Sequence, residues 1–489
     1  MMVDDDLSSI QEARNLVQAA HAAWKTWSRA SQSEVDRVCE TMAKAGYQAA
    51  GRLGQLAHEE TGYGIAAHKK LKNEFASRLV WESIRDLKTA GIIRHDAARR
   101  LYEIAAPMGV VAALIPSTNP TSTAFNKMLI AVKARNAIVI SPHPAARRCT
   151  YEAARSMASA AEAAGAPPGL IGCMQQISLP GTRELMTHEY TAIILATGGT
   201  AMVRAAHSTG KPAYGVGPGN VPVYVDRSAD VEKAARYIVA SKAFDCSTIC
   251  ATEQSVIADG PVARRLAERM KSEGAYFTNG PETDALREAV FHTDGSFNTA
   301  VVGKPAAYVA AFAGIGIPPA TRVLVTPLSR AGQDEPLSLE KLTPVLGWYE
   351  TDGWRNGCEL SIAILESGGR GHTQIVYASD EDVIRAFGLE KPVFRILVNT
   401  MGTLGAIGLT SGVMPSLTLG PGGLGGAITG DNITASHLIN IKRLAYETAA
   451  PPPSAFLSGE TPAGPGPEEM ERVVRQVVHE IMESRRCAS

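Results

Sequence analysis

Apolar runs alternate with helical patterns in the first half of the chain, and this alternation limits the possible folds more than any other feature. The runs are residues 109–115, 137–140, 170–174 and 192–196, with helical periodicity between them. Continuous apolar strands joined by helices are typical of a parallel sheet covered on both faces. The pattern therefore predicts a doubly wound α/β domain, which binds ligands at the carboxyl ends of its strands. A second α/β region is expected from residue 226 to about residue 405.

Two earlier segments have different patterns. Residues 7–87 carry apolar side chains at three- and four-residue spacing, so they are expected to form covering helices. Residues 90–106 change to an extended period around a polar turn, as in a β-hairpin. Such an arm is often used to pair subunits.

Charge and cysteine content exclude several classes of function. The 489 residues include 48 Lys and Arg against 49 Asp and Glu, so no long-range field favours nucleic acid or an anionic membrane. Residues 4–6 are aspartates where a secretory signal needs positive charge, and no stretch approaches the roughly 18 apolar residues of a membrane span. Seven cysteines without CxxC pairing suit a reducing compartment. We expect a cytoplasmic protein that acts on small molecules and has no metal site.

Cys250 lies in a run of small and polar residues, 243–254, between a predicted helix at 231–243 and an apolar strand-like run around Val256. A thiol that only fills a core usually has aliphatic neighbours, whereas one in a Ser/Thr-rich segment between elements can reach a substrate. Cys250 is therefore a candidate nucleophile. On these residues alone, a buried structural cysteine fits equally well.

Three glycine-containing segments are candidates for phosphate binding. Residues 197–200 leave a predicted strand and enter a helix, where glycine permits a close approach and the helix amino end favours phosphate. Residues 215–220 precede a strand, whereas a dinucleotide fingerprint follows one, so they fail in that role but remain candidates for an active-site loop. Residues 208–212 lack the upstream glycine of a phosphate loop, and proline follows their lysine.

The composition changes abruptly near the carboxyl end. Residues 449–466 are rich in Pro, Gly and Ser and are expected to form a linker. A helix is predicted from residue 467 to 486, with acidic residues in its first turn and arginines in its last. Its apolar residues form one stripe, namely Met470, Val473, Val474, Val477, Val478, Ile481 and Met482. Two readings stay open: a docking peptide, or a helix folded back on its own domain.

Five separated motifs carry a family resemblance. They are Pro-Ser-Thr-Asn-Pro-Thr-Ser-Thr at 116–123, Ser-Pro-His-Pro at 141–144, Gly-Lys-Pro-Ala-Tyr-Gly-Val-Gly-Pro-Gly-Asn at 210–220, Ile-Cys-Ala-Thr-Glu-Gln at 249–254 and Glu-Lys-Leu-Thr-Pro at 340–344. Together they resemble the aldehyde dehydrogenase superfamily and, within it, the CoA-acylating branch. The resemblance covers about residues 7–446.

The resemblance implies an aldehyde dehydrogenase fold with two doubly wound α/β domains, one for the cofactor and one for catalysis, plus a small β oligomerisation element. On this chain the cofactor domain would span 1–225, with the arm at about 90–106, and the catalytic domain 226–405. Residues 406–448 would return to the cofactor domain and supply an oligomerisation strand, followed by the linker 449–466 and the docking helix 467–489. A homodimer or homotetramer is expected.

The implied chemistry begins with attack of the Cys250 thiolate on an aldehyde. A cysteine of ordinary pKa, roughly 8.5, needs a polar and partly exposed setting to supply a thiolate. The negative charge that develops on oxygen needs fixed donors, and the family implies the side-chain amide of Asn119 with the backbone N–H of Cys250. Without the family, Asn119 would be read as an Asx turn. A nicotinamide would take the hydride.

The next step depends on Val216. The hydrolytic branch has a glutamate as general base for water, and alignment on Gly219 and Pro222 puts Val216 in its place. Valine cannot take a proton from water, so hydrolysis lacks its base. A thiol can attack the thioester with little assistance, which fits coenzyme A as second substrate and an acyl-CoA as product.

The resemblance also assigns the cofactor residues. It places Ser141, Pro142 and His143 near the adenosine ribose, Gly198, Gly199 and Met202 at the pyrophosphate and adenine, and Glu340 with Leu342 at the nicotinamide ribose. Gly217, in the glycine loop, is included among the cofactor contacts. Pro144 stands where NAD-preferring hydrolytic enzymes carry a glutamate, and Arg147 and Arg148 could meet a 2′-phosphate. NAD is preferred, with NADP as the alternative.

The tail fits a further family property. Acylating enzymes of bacterial microcompartments often carry a short amphipathic encapsulation peptide after a Pro/Gly-rich linker. Residues 467–486 resemble such a peptide, which implies a shell protein as partner and a microcompartment lumen as location. Three rival readings remain: a hydrolytic aldehyde dehydrogenase, an acyl-phosphate reductase of the same fold, and a non-catalytic scaffold. The substrate is expected to be a short aldehyde of unspecified identity.

Overall fold

A computed structural model of the chain describes residues 4–449, 464 and 466–486, with side chains to residue 479. Its helices are α1 (Asp5–Trp27), α2 (Gln32–Thr61), α3 (Ala66–Glu74), α4 (Val80–Ile84), α5 (Pro120–Lys133), α6 (Arg147–Ala163), α7 (Leu179–Thr187), α8 (Thr200–His207), α9 (Val231–Ala243), α10 (Gly260–Ser272), α11 (Gly280–Val290), α12 (Ala306–Phe312), α13 (Gly353–Glu366), α14 (Glu381–Glu390), α15 (Gly402–Ala406) and α16 (Pro467–Arg486).

The strands complete the α/β pattern. They are β1 (Gly91–Asp96), β2 (Leu101–Pro107), β3 (Val110–Ile115), β4 (Ala137–Pro142), β5 (Ile171–Cys173), β6 (Thr191–Thr197), β7 (Ala213–Val216), β8 (Val221–Val225), β9 (Glu253–Asp259), β10 (Ala275–Phe277), β11 (Val323–Pro327), β12 (Val345–Thr351), β13 (Gln374–Tyr377), β14 (Ile396–Val398) and β15 (Ile439–Ala445). The predicted fold class is confirmed.

The amino-terminal helices cover the first sheet, as their periodicity predicts. α2 begins with a capping box, in which Ser31 and Glu34 each accept the other's backbone N–H. It ends at Gly62, whose φ of 66° suits glycine at a helix carboxyl terminus. α5 is buried at every residue because it packs against α2, α6 and the first sheet.

The first sheet is parallel and has five strands in the order β5-β4-β3-β6-β7. Every residue of β3 and β4 is buried, as expected of strands covered on both faces. β7 was not predicted, because its Ala-Tyr-Gly-Val sequence merges into the glycine cluster that follows.

The second sheet is also parallel and has seven strands in the order β10-β11-β12-β9-β8-β13-β14. β8 belongs to it and pairs with β9 and β13. The chain therefore crosses between the sheets at residues 217–220, a few residues before the predicted domain boundary at 225. One apolar core includes residues of both sheets, such as Ile194 and Val256.

A third sheet has the order β1-β2-β15 and contains the predicted hairpin arm. The chain divides into two compact units, and the larger one holds both parallel sheets. The smaller unit consists of residues 94–103 and the chain from residue 443 onward. Among the described residues, no helix has the length and apolar character that crossing a lipid bilayer requires.

Candidate active site

The candidate residues of the first sheet lie at the carboxyl ends of its strands. Asn119 follows β3, the Ser141 and Pro142 pair ends β4, Gly198 follows β6, and Gly217 follows β7. The carboxyl ends of parallel strands meet at one edge, so the sequence prediction of a ligand-binding edge agrees with the topology.

The second sheet contributes its residues from the opposite ends of its strands. Cys250 precedes β9, Gly219 precedes β8 and Glu340 precedes β12. Two hydrogen bonds join these segments to one another and to the first sheet: the Asn119 Nδ2 donates to the Thr248 carbonyl (2.8 Å), and the Gly219 N–H donates to the Glu340 Oε1 (2.8 Å). The site is therefore built between the carboxyl edge of one sheet and the amino edge of the other.

Cys250 is the only residue between 244 and 259 that is not buried. The segment before it has an unusual backbone, since Asp245, Cys246 and Ser247 have φ values of 47°, 52° and 66°. Non-glycine residues adopt this left-handed region at a cost on the order of 1 kcal/mol each. Three such residues in succession indicate that surrounding contacts hold the turn. After the turn, Cys250 is partly exposed at the surface of the site.

The environment of the Cys250 thiol differs from the sequence expectation. Desolvation by burial, followed by the nearby Glu340 carboxylate, raises the pKa of Cys250 to about 12. Arg395 and the backbone N–H groups of Cys250 and Ala251 act in the opposite direction. Cys250 is partly exposed, as the sequence expectation requires, but burial of its thiol raises the pKa above the ordinary value that the expectation assumed. The residue is accessible, but its thiol is protonated at neutral pH.

Asn119 lies next to the cysteine loop, at the amino end of α5. Its Nδ2 donates to the Thr248 carbonyl and, at 3.2 Å, to the Thr118 hydroxyl, while its Oδ1 accepts from the Lys72 ammonium. The side chain makes no cap hydrogen bond to the helix. The Asx-turn reading is thus replaced by a long-range contact that fixes the amide beside the nucleophile.

The glycine loop at residues 217–220 passes directly against Cys250. A Cβ on Gly219 would lie 1.9 Å from the Cys250 carbonyl oxygen, so only glycine fits. The same position lies 3.3 Å from the His372 Nδ1. Glu340, predicted at the nicotinamide ribose, is tied to this loop through the Gly219 N–H, and burial raises its pKa.

The residues assigned to the cofactor surround open space. A Cβ on Gly199 or Gly217 would meet no atom within 4 Å, and Gly199 begins α8 without a side-chain cap. Backbone N–H groups at a helix start can donate to a phosphate. Met202 lines a mainly apolar cavity of about 590 Å³ between α7 and α8. An apolar slot beside an anion-binding turn fits an adenine dinucleotide.

The remaining assigned residues vary in accessibility. Ser141 is buried, and its hydroxyl pairs with the Thr182 hydroxyl at 2.9 Å, while Pro142 is buried beside it. His143 is exposed, as are Arg147 and Arg148. Leu342 is half-buried, and its carbonyl accepts from the Gly303 N–H.

Val216 ends β7 with its side chain in the apolar core, where it is 2% exposed. No carboxylate stands at this position. The observation matches the sequence argument that hydrolysis lacks its base.

Several polar residues of the site were not predicted. Asp245 is fully buried and paired with both Lys69 (3.1 Å) and Lys72. His372 is buried, and burial lowers its pKa to about 3, so it is neutral. The Arg395 guanidinium donates to the Asn432 side chain, the Thr373 hydroxyl and the carbonyls of His372 (2.8 Å), Gly420 and Gly430. The two lysines, His372 and Arg395 are far from Cys250 in sequence and lie in no recognised motif, and nothing in the 243–254 run marked Asp245 as paired.

Comparison with known proteins decides the family. The profile described as "Aldehyde dehydrogenase family" matches residues 6–289, more than half of the chain. The chain belongs to the aldehyde dehydrogenase family. It is 34% identical to succinate-semialdehyde dehydrogenase (acetylating) of Clostridium kluyveri over 440 residues, which cover 90% of this chain and 97% of that one. The predicted resemblance to the acylating branch is confirmed.

Longer relatives match as well. The chain is 38% identical to the bifunctional aldehyde-alcohol dehydrogenase AdhE of Escherichia coli K12 over 444 residues, covering 90% of this chain and 50% of that protein. The chain thus spans about half the length of the first relatives that it matches.

Solved structures of this family have the same fold. An acetylating aldehyde dehydrogenase from Geobacillus thermoglucosidasius is 50% identical, with a TM-score of 0.91 and coverage of 93% and 100%. Two propionaldehyde dehydrogenases are more distant. One, from the Clostridium phytofermentans fucose utilisation microcompartment, has 25% identity, a TM-score of 0.81 and coverage of 89% and 97%. The other, from Rhodopseudomonas palustris with bound CoA and an acylated cysteine, has 26% identity, a TM-score of 0.80 and coverage of 89% and 97%.

Proposed function

We propose that the chain oxidises a short-chain aldehyde to its acyl-CoA, using NAD⁺ or NADP⁺ and coenzyme A. The observation that carries the proposal is Cys250, the single accessible residue of an otherwise buried segment, set beside the amide of Asn119. The related propionaldehyde dehydrogenase from Rhodopseudomonas palustris carries an acylated cysteine, which supports a cysteine as the nucleophile of this chain as well.

The first step forms a thiohemiacetal on Cys250. The Cys250 thiol loses its proton to solvent as its sulfur bonds to the aldehyde carbon, and the carbonyl electron pair moves to oxygen, where Asn119 and the backbone N–H of Cys250 donate. A nicotinamide cofactor, when bound, accepts the hydride that leaves the same carbon. A thioester then remains on Cys250. The Glu340 carboxylate and the Gly198 and Gly199 turn hold the cofactor.

The second step transfers the acyl group to CoA. Val216 supplies no base for water, so a thiol is the acceptor that needs least assistance. We therefore expect acyl-CoA as the product and only traces of free acid.

An assay with and without CoA tests the proposal. Purified protein is incubated with a panel of short aldehydes, NAD⁺ or NADP⁺, and CoA, and the products are separated by mass. Acyl-CoA that forms only with CoA supports the proposal, and free acid formed without CoA points to the hydrolytic alternative. The panel also ranks aldehydes and cofactors.

We also propose that residues 467–486 dock the enzyme to a microcompartment shell protein. In the described part of α16, Met470, Val473, Val474, Val477 and Val478 are each about half exposed, and they form one stripe. The related microcompartment enzyme supports this setting. Pairing through the arm and β15 into a homodimer or homotetramer is part of the same proposal.

A further inference from the structure

Lys72 is a buried cation that contacts the amide of the oxyanion donor. Its side chain is 2% exposed, and its ammonium donates to the Asn119 Oδ1, the Asp245 Oδ2 and, at 3.3 Å, the Thr248 hydroxyl. An ammonium has three donors, and all three are used here. Lys72 therefore joins α3, the amino end of α5 and the left-handed turn before Cys250.

Lys69 provides an internal comparison within the same cluster. Its side chain is 3% exposed, and its ammonium donates to the Asp245 Oδ2 at 3.1 Å and to the Thr118 carbonyl at 3.2 Å. It contacts the same carboxylate as Lys72, but among the described residues the Asn119 amide oxygen accepts from Lys72 and not from Lys69. Two ammonium groups thus share one carboxylate, and only one of them contacts the side chain that would face the oxyanion.

We propose that Lys72 is a positioning residue that polarises the Asn119 amide for transition-state stabilisation. The inference rests on the proposed function. A cation that donates to the amide oxygen draws electron density from the nitrogen, so the N–H becomes a stronger donor, and such chains of hydrogen bonds reinforce one another in a low-dielectric site.

The geometry of Asn119 defines which hydrogen is available. One Nδ2 hydrogen is committed to the Thr248 carbonyl at 2.8 Å, and the other makes the longer contact of 3.2 Å to the Thr118 hydroxyl. The longer bond is the one exchanged for a substrate oxygen. As the C–S bond forms and the carbonyl electron pair moves to oxygen, this N–H donates to the negatively charged oxygen. The Lys72 ammonium lies at the other end of the same amide, bonded to its oxygen.

The acidity of Lys72 is compatible with this role. Desolvation lowers its pKa to about 8, against the raising effect of Asp245, and Lys69 lowers it further. Cys246 has a smaller effect and raises the pKa of Lys72. Lys72 is therefore charged at neutral pH.

A double-mutant cycle tests the proposal. We compare wild type, Lys72→Met, Asn119→Ala and the double variant in acyl-CoA formation. Removing one oxyanion donor typically lowers kcat about 10²–10³-fold. We expect Lys72→Met to lower kcat about 10–100-fold with KM nearly unchanged, and to add less than about threefold in the Asn119→Ala background, because coupled residues are not additive.

Matched variants and a second reaction separate positioning from folding. Lys69→Met removes a cation from the same carboxylate, and we expect it to lower kcat less than about fivefold. Alkylation of Cys250 by iodoacetamide forms no oxyanion, so Lys72→Met should leave its rate within about threefold. If Lys72→Met does not fold, Lys72→Gln keeps a donor to the Asn119 oxygen without the charge and should lower kcat in the same direction.

Three results would overturn the proposal. They are multiplicative losses in the double variant, an equal loss in Lys69→Met, or a parallel loss of alkylation in Lys72→Met. A wild type that alkylates normally but makes no acyl-CoA refutes the proposed function instead, so the two failures are distinguishable.

Discussion

At the scale of single residues, burial and then opposing charges set the reactivity of Cys250, and burial does most to raise the pKa of its thiol. The Glu340 carboxylate raises the pKa of the thiol, whereas the Arg395 guanidinium lowers it. Arg395 is 3% exposed, and burial lowers its own pKa to about 10, so it remains charged. Cys250 therefore stays a protonated thiol as long as burial and the Glu340 charge outweigh the Arg395 charge. A thiol is less readily oxidised than a thiolate.

Replacing Glu340 should release this restraint. In Glu340→Gln the negative charge is lost, so the pKa of Cys250 falls and more thiolate is present at pH 7 to 9. We expect iodoacetamide to alkylate Cys250 several-fold faster in this variant, while cofactor binding weakens. The exposed Glu350, at the other end of β12, gives the control Glu350→Gln. Equal alkylation profiles in Glu340→Gln and wild type would refute the assigned charge effect.

His372 should make stability depend on acid. Its folded-state pKa is about 3, because of burial and then Arg395, against about 6.5 in the unfolded chain. The unfolded chain therefore binds an extra proton between these values, and stability rises with pH through this window.

The variant His372→Gln tests this dependence. In chemical denaturation between pH 4 and 6, the free energy of unfolding of this variant should rise with pH less steeply than that of wild type. The difference in slope should be up to about 1.4 kcal/mol per pH unit. Parallel slopes in the two proteins would show that His372 is protonated in the folded state.

Single residues of the site were predictable only where a motif carried them. Cys250 and Asn119 stand in recognisable segments, and the structure brings these segments into hydrogen-bond contact. Lys72 and Asp245 lie 173 residues apart, so only the packing of α3 on the turn at 244–247 joins them. The raised pKa of Cys250 could not be predicted from its polar local sequence, because the burial of the thiol is decided by distant segments.

At the scale of elements, two backbone features position the nucleophile. The left-handed residues 245–247 turn the chain toward the site, and the Asp245 carboxylate accepts from the Ile65 N–H (2.6 Å), from both lysines and from Thr248. The glycine loop at 217–220 closes against Cys250 from the other side. Contacts to other elements thus hold a turn that is strained by itself.

Gly219→Ala should therefore disable the site without unfolding the chain. The new Cβ would overlap the Cys250 carbonyl, so the loop must move and its bond to Glu340 is lost. We expect kcat/KM for aldehyde to fall at least about 100-fold, since small displacements in a site can have effects of that size. Gly388→Ala in α14 meets open space and is the control. Wild-type turnover in Gly219→Ala would contradict the geometry.

The regular elements of the first sheet were predicted well because β3, β4 and β6 each contain an uninterrupted apolar run of four or more residues. Elements of the second sheet were harder to predict, since β10, β13 and β14 have only three or four residues each. Sequence reasoning also placed ligands at carboxyl ends of strands. It had no means to show that the catalytic cysteine precedes its strand, because that depends on how the two sheets face each other.

At the scale of the whole molecule, the catalytic part and the tail should be separable. The larger compact unit holds every site residue named above, and the described part of α16 belongs to the smaller unit. Deleting residues 449–489 should leave kcat and KM within about twofold of wild type while abolishing co-purification with shell proteins. A matched full-length variant, Val474→Asp with Val478→Asp, interrupts only the stripe. Lost turnover in the truncated enzyme would contradict a pure docking role.

The central claim is that Cys250 carries an acyl group that CoA, not water, removes. The most direct measurement is the mass of the enzyme after incubation with an aldehyde and NAD⁺ without CoA, followed by addition of CoA. We expect an acyl adduct on Cys250 that persists without CoA and disappears when acyl-CoA forms. Release of free acid before CoA is added, or an adduct in Cys250→Ala, would contradict it.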